Sequence, residues 1–437
     1  MKTFISFLLT VVLSAGALGH DGIRITGRVN SPYLPTSGGT LFLNISLAFP
    51  VIKKPSRMPM NLSIVLDRSG SMADERKIDY AKSALGTLIR QLSPDDILSV
   101  VIYDDVVEVL QPARKVRNRE ELIRRIGEVF PRGSTNLGGG LVEGLQQVSR
   151  NANREYVNRV ILFSDGLANQ GVTDPHALNS IARRYRHQGI SVTTMGVGLD
   201  YNENLMAGLA EYGGGRYYFI ESPRSIAHIL RREFETMTTI LAQNAVLEIT
   251  LGPGFEVVDA IGYTWERQGN RCLIPLGDLS SGQTQDVTLE LRAPSGTGTA
   301  QVAQAILQFT SDALQAKTSP EFATTISYTT DQETVEKNRD LEVQAKADVA
   351  LSTRTVEQAL ESFDRGDRDA AVKALEEAQN VLMASPAAAS AGAGEMLKEQ
   401  RERLEGFRRT LKNDEIDARK AKKSVQYENY RLQKNDQ

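Results

Sequence analysis

Cysteine is almost missing from this sequence. Cys272 is the one thiol in 437 residues, so the chain can form no intrachain disulfide and offers no cysteine-based metal site. Histidine is scarce too, with only His20, His176, His187 and His228. None is placed like a catalytic base: His20 falls at the end of the N-terminal segment, His176 and His187 share one helix-like stretch, and His228 lies in another. That counts against a serine hydrolase, whose nucleophile needs a base beside it. No G-x-x-x-x-G-K-[ST] run occurs, which removes P-loop phosphate chemistry. A net charge of −3 with no long basic run counts against nucleic acid as a partner. No apolar run after the N-terminal one approaches the ~20 residues a membrane-spanning helix needs.

The N-terminal run is itself short. Lys2 precedes an almost continuous apolar stretch from Phe4 to Leu13, followed by small residues in which Ala15-Gly16-Ala17 and Ala17-Leu18-Gly19 are cleavage candidates. Residues 1–19 are expected to be a signal peptide, and the mature protein to be exported to the periplasm or beyond the cell. Apolar and charged fractions of 41% and 24% are those of an ordinary globular protein, and the length suggests two or three domains.

Four zones follow. In residues 20–58, Ile23, Ile25 and Val29 and then Leu41, Leu43, Ile45 and Leu47 alternate with period two, which predicts two strands joined by a turn over Ser31 to Gly39. In residues 59–243, apolar runs (Leu62 to Leu66, Ile97 to Tyr103, Val160 to Phe163, Ile190 to Val197) alternate with helix-like stretches (Arg76 to Leu92, Asn118 to Phe130, Gly139 to Ser149, Asp174 to Gln188). That alternation predicts an α/β fold, a doubly wound and mostly parallel sheet with helices on both faces. A last helix is expected over Ser225 to Gln243. Residues 244–330 return to strands, and the first zone is too short for a stable sheet alone. The two are expected to form one β-sandwich with the α/β domain inserted between them. Residues 331–437 are expected to be helical, with a cap-to-cap turn at Arg365-Gly366-Asp367, a flexible loop from Ala384 to Gly394 and a frayed tail after Asn413.

The sheet logic says where to look for a site, because ligands of open α/β sheets bind outside the carboxyl ends of strands. Asp67 ends the first apolar run and opens Asp67-Arg68-Ser69-Gly70-Ser71. Asp165 ends another run, in Ser164-Asp165-Gly166, and Thr135 lies in Gly133-Ser134-Thr135-Asn136 before a helix. Three separated loops thus bring two carboxylates and three hydroxyls to one rim. These are oxygen donors for a hard divalent cation, Mg²⁺ by preference, with Mn²⁺ or Ca²⁺ also suited. Neutral hydroxyls leave such an ion short of negative charge and ready to accept a carboxylate from another molecule. Asp104 and Asp105 are expected only to make a turn, and Asp200 and Glu203 to be solvated loop charges.

The Asp-x-Ser-x-Ser run, the later Thr and the Ser-Asp-Gly run resemble the metal-ion-dependent adhesion site of the von Willebrand factor type A domain. The resemblance covers about residues 59–243 and implies that Asp67, Ser69, Ser71, Thr135 and Asp165 are the metal ligands, the two carboxylates often acting through water. The flanking layout also resembles secreted bacterial A-domain proteins related to the calcium-activated chloride channel group. A haloacid-dehalogenase-type phosphatase would need a second acid two positions after Asp67, where Ser69 stands. The expectation is therefore a binding protein and not an enzyme. It would grip an acidic group of a protein partner through the cation; the alternative is a scaffold whose metal is structural and whose helical tail recruits partners.

Overall fold

The computed structural model of the chain describes residues 22–52, 57–311 and 321–435; the expected signal peptide lies outside them. Ahead of the α/β region come β1 (Arg24–Val29), β2 (Tyr33–Pro35) and β3 (Gly39–Ala48). The α/β region runs β4 (Met60–Asp67), α1 (Lys77–Gln91), β5 (Ile97–Tyr103), β6 (Val107–Lys115), α2 (Arg119–Gly127), α3 (Leu137–Ser149), β7 (Val157–Ser164), α4 (Pro175–Arg186), β8 (Ser191–Val197), α5 (Glu203–Gly213), β9 (Gly214–Ile220) and α6 (Ile226–Thr238). Its sheet has the order β6-β5-β4-β7-β8-β9, parallel throughout except for β6, which pairs antiparallel with β5. Every residue of β4, β5, β7 and β8 is buried, as strands covered on both faces require. β4 lies between β5 and β7, so the loops after β4 and β7 flank the point where the winding reverses.

Close approach of α3 to this sheet sets the rim. A methyl group at Gly140 would lie 2.6 Å from the Tyr103 ring, so the helix axis can sit near the strands only because glycine stands there. The Asn136 side chain caps the helix by accepting a hydrogen bond from the Gly139 N–H at 2.9 Å, which fixes Thr135 immediately before it.

Seven strands follow: β10 (Ile240–Leu251), β11 (Glu256–Ala260), β12 (Glu266–Gln268), β13 (Arg271–Ser280), β14 (Thr284–Ala293), β15 (Thr299–Thr310) and β16 (Glu321–Thr329). They and the first three strands form two further sheets, β1-β3-β14-β11 and β12-β13-β10-β15-β16-β2. The register Leu43↔Leu289 and Leu41↔Leu291 joins the first strands to those past residue 244, so the α/β region is inserted between the two parts. Leu43, Ile45, Leu247, Ile249 and Leu289 share one core between these sheets.

Four expectations of secondary structure need correction. The Ser31–Gly39 turn contains β2, which adds parallel to β16; Pro35 is tolerated because β2 is the sheet's edge. The last α/β helix ends at Thr238, and Gln243 lies in β10. The stretch from Ala384 to Gly394 is a short 3₁₀ turn, Pro386–Ala389, leading into a helix that starts at Ala391, with Ala387 and Ala393 buried. The helices α7 (Gln332–Lys337), α8 (Leu341–Asp364), α9 (Arg368–Ala384) and α10 (Ala391–Lys412) are followed by a fifth, α11 (Ala418–Gln433), where a frayed tail was expected.

The reason is docking. Tyr427 and Tyr430 meet the Tyr217 ring edge-on, each at 5.7 Å. Glu203 is buried, not solvated; it pairs with Lys422 at 2.5 Å and with Lys423, while Asp200 pairs with Arg419. Burial pushes the Glu203 carboxyl up, but the two lysines outweigh it and hold the group below its ordinary value.

Candidate metal centre

Five side chains chosen from the sequence gather on the rim. Asp67, fully buried at the end of β4, accepts a hydrogen bond from the Ser69 N–H on Oδ1 at 2.8 Å. Ser69 Oγ lies 3.2 Å from Ser71 Oγ, and Ser71 Oγ donates to Asp165 Oδ1 at 2.7 Å. Thr135 comes in from the loop before α3. A methyl group at Gly166 would stand 3.2 Å from Thr135 Oγ1 and 3.5 Å from Ser71 Oγ, so glycine there lets the loop after β7 come close to both hydroxyls.

The loops are tied to one another through backbone. The Arg68 N–H donates to Tyr103 O at 2.9 Å, the Gly70 N–H to Gly133 O at 3.2 Å and the Arg132 N–H to Arg68 O at 2.7 Å. The Thr135 N–H donates to Asn169 Oδ1 at 2.9 Å, and Asn169 N–H returns to Thr135 O at 3.1 Å. Asp104 is more than the turn residue expected. It is buried and receives Arg68 Nε at 2.9 Å and Arg132 Nε at 2.7 Å on Oδ2, which pins the loop after β4 to the loop before α3. Burial raises its carboxyl, but Arg132, the Val106 N–H and Arg68 together bring it below the ordinary value.

The two site carboxylates behave otherwise. Burial pushes Asp67 up to about 6; the Ser69 hydrogen bond opposes this and the negative charge of Asp165 adds to it. Asp67 Oδ2 is engaged by Ser164 Oγ at 2.9 Å and Tyr103 OH at 3.3 Å. Burial also raises Asp165, against hydrogen bonds from Lys77 and Ser71. Sequence reasoning missed Lys77, whose Nζ lies 2.7 Å from Asp165 Oδ2. Its signal was available: a lysine at the first position of a helix, where a cation is disfavoured.

Among the described residues no group of three or more His, Cys, Asp or Glu side chains gathers to hold a metal ion. What the rim offers instead is two carboxylates and three hydroxyls from three loops. That donor set fits a hard divalent cation that keeps some of its water. Asp67 and Asp165 would supply its charge, and Ser69, Ser71 and Thr135 its neutral oxygens.

A mostly parallel sheet with carboxylates and hydroxyls at its switch point defines a doubly wound α/β domain. Residues 61–232 match the family model of the von Willebrand factor type A domain, and the segment has that fold. Over 247 residues the chain is 28% identical to the uncharacterised protein YfbK of Escherichia coli, a match covering 55% of this chain and 43% of that protein. It is 29% identical over 260 residues to an uncharacterised Synechocystis protein, covering 57% of this chain and 61% of the relative. The matched segment thus spans about half the length of these curated relatives. Among solved structures, a von Willebrand factor type A protein from Catenulispora acidiphila superposes with a TM-score of 0.68 at 16% identity, over 89% of this chain and 91% of that one. The ArnB paralog VWA2 from Sulfolobus acidocaldarius gives 0.61 at 18% identity, over 94% and 99%. At such identities the likeness is one of fold, and it extends across the flanking sheets and helices.

Proposed function

We propose that the protein binds a divalent cation, Mg²⁺ by preference, between Asp67, Ser69, Ser71, Thr135 and Asp165, and through it an acidic group of a protein partner. The observation that carries this reading is the convergence of hydroxyls on two buried carboxylates: Ser71 Oγ lies 3.2 Å from Ser69 Oγ and 2.7 Å from Asp165 Oδ1, with Asp67 buried beside them. A cation held by so little negative charge keeps its affinity for one more anionic oxygen. The donor set contains no histidine base, and binding, not turnover, is the proposed activity.

The surroundings add a preference. Four of the eight large apolar side chains exposed among the described residues, Val106, Phe130, Leu167 and Val172, sit on the rim loops. Such a collar favours an Asp or Glu flanked by apolar residues. Among the described residues no helix is long and apolar enough to cross a membrane. The export we propose rests on Lys2 and the Phe4 to Leu13 run.

A random peptide library displayed on phage tests the reading, with capture in Mg²⁺ and release by EDTA. The peptides released should carry an acid beside an aliphatic or aromatic residue. Asp67→Ala and Gly166→Ala, the second placing a methyl group 3.2 Å from Thr135 Oγ1, should capture none above background. Capture by Asp67→Ala equal to wild type, or unaffected by EDTA, would leave the cation a structural part only.

A further inference from the structure

Lys77 is seated at a cost that ordinary folding does not explain. Its side chain is buried, and an ammonium loses hydration there. It occupies the first position of α1, where the helix dipole repels a cation. The two residues before it, Glu75 and Arg76, both have left-handed backbone at φ 49° and 59°. Consecutive non-glycine residues in that region are strained, and such strain gathers at functional sites. The ammonium reaches Asp165 Oδ2 at 2.7 Å, beside the proposed cation position, and Ser71 O at 3.5 Å. A buried ion pair is a poor way to gain stability alone.

Charge counting suggests what the contact does. Asp67 and Asp165 bring two negative charges to the rim and Lys77 returns one positive charge. Asp200, the further acidic group whose charge reaches Asp165, is paired with Arg419. With Lys77 present, a bound divalent cation leaves the centre at net +1; without it, the centre would be neutral. Lys77 also occupies one Asp165 oxygen, leaving Oδ1 toward Ser71, so Asp165 cannot chelate the ion through both.

We propose that Lys77 trades cation affinity for anion affinity: it weakens metal binding and keeps the loaded centre positive, so that it takes up a carboxylate. The inference rests on the metal site proposed above, and Mg²⁺ alone separates the two. Isothermal titration calorimetry of the full chain with Mg²⁺ should show binding about tenfold tighter or more in Lys77→Met than in wild type, and nearly unchanged in Lys77→Arg, which keeps the charge. With Mn²⁺ as probe, acetate should lower the water-proton relaxation enhancement of the wild type and have far less effect on Lys77→Met. If Lys77→Met fails to fold by circular dichroism, Lys77→Gln serves as the neutral variant. A folded neutral variant that binds Mg²⁺ equally or more weakly would overturn the role of Lys77. Identical titrations for wild type and Asp67→Ala would overturn the metal site itself.

Discussion

At the scale of the residue, Asp67 concentrates the energetics of the site. It is buried at the end of β4 and its carboxyl is pushed up to about 6. The folded protein therefore holds this proton more firmly than the unfolded chain does. Stability from this group is fully present below pH ~4 and declines as the pH rises through about 6, a loss on the order of 3 kcal/mol by neutral pH. A cation beside the ionised carboxylate offsets that loss, and at low pH it must compete with the proton. Thermal unfolding with and without Mg²⁺ should show a rise in Tm of several degrees at pH 7.5 and little change at pH 5. Equal shifts at both values would mean that the cation sits elsewhere.

At the scale of the element, α6 is held by a buried charge network rather than by apolar packing alone. Arg159 of β7 reaches Glu233 of α6 at 2.5 Å and Asp278 of β13 at 2.6 Å, and Thr193 and Tyr218 each donate to Glu233 at 2.8 Å. Burial would raise Glu233, but Arg159 and Arg216 with the two hydroxyls hold it at about 2. Its contribution is complete above pH ~4.5 and is lost as the pH falls toward 2. Arg159→Met leaves Glu233 and Asp278 without this partner, and urea unfolding should record a loss of about 3–5 kcal/mol. An unchanged midpoint would show that Arg216 alone suffices. None of this was legible in the sequence, where Arg159 and Glu233 lie far apart in separate periodic stretches. What was legible is local. The apolar runs within β4, β5, β7 and β8 announced a sheet covered on both faces, and Asp67, Thr135 and Asp165 fell at its rim because strand ends can be counted. α5 and β9 escaped notice because Gly213-Gly214-Gly215 looks like a loop, although Leu205, Met206, Leu209 and Ala210 keep helical spacing.

At the scale of the whole molecule, α11 ties three parts together. It lays Tyr427 and Tyr430 on the α/β sheet edge, and Asn429 Nδ2 donates to Thr353 O of α8 at 3.0 Å. Beyond its end, Lys434 Nζ reaches Gly262 O of the strand region at 2.8 Å and Glu211 at 2.5 Å. Its own sequence held little sign of this, since charge and tyrosine carry the contact and the partners Glu203, Glu211 and Tyr217 are more than two hundred residues away. A helix of 16 residues is marginal in water without packing, so α11 exists because it is docked. Lys423 is the point to break. Its Nζ is buried against Glu203, donates to Tyr201 O at 2.7 Å and lies 4.2 Å from the Tyr201 ring centre. Lys423→Glu would set two buried carboxylates against each other and should release the helix. Hydrogen exchange should then run nearly unprotected across residues 418–433, while β4, β5 and β7 keep wild-type protection. Persistent protection in α11 would show that the tyrosines hold it without the ion pair. Loss of protection in the sheet as well would make the tail part of the α/β fold itself.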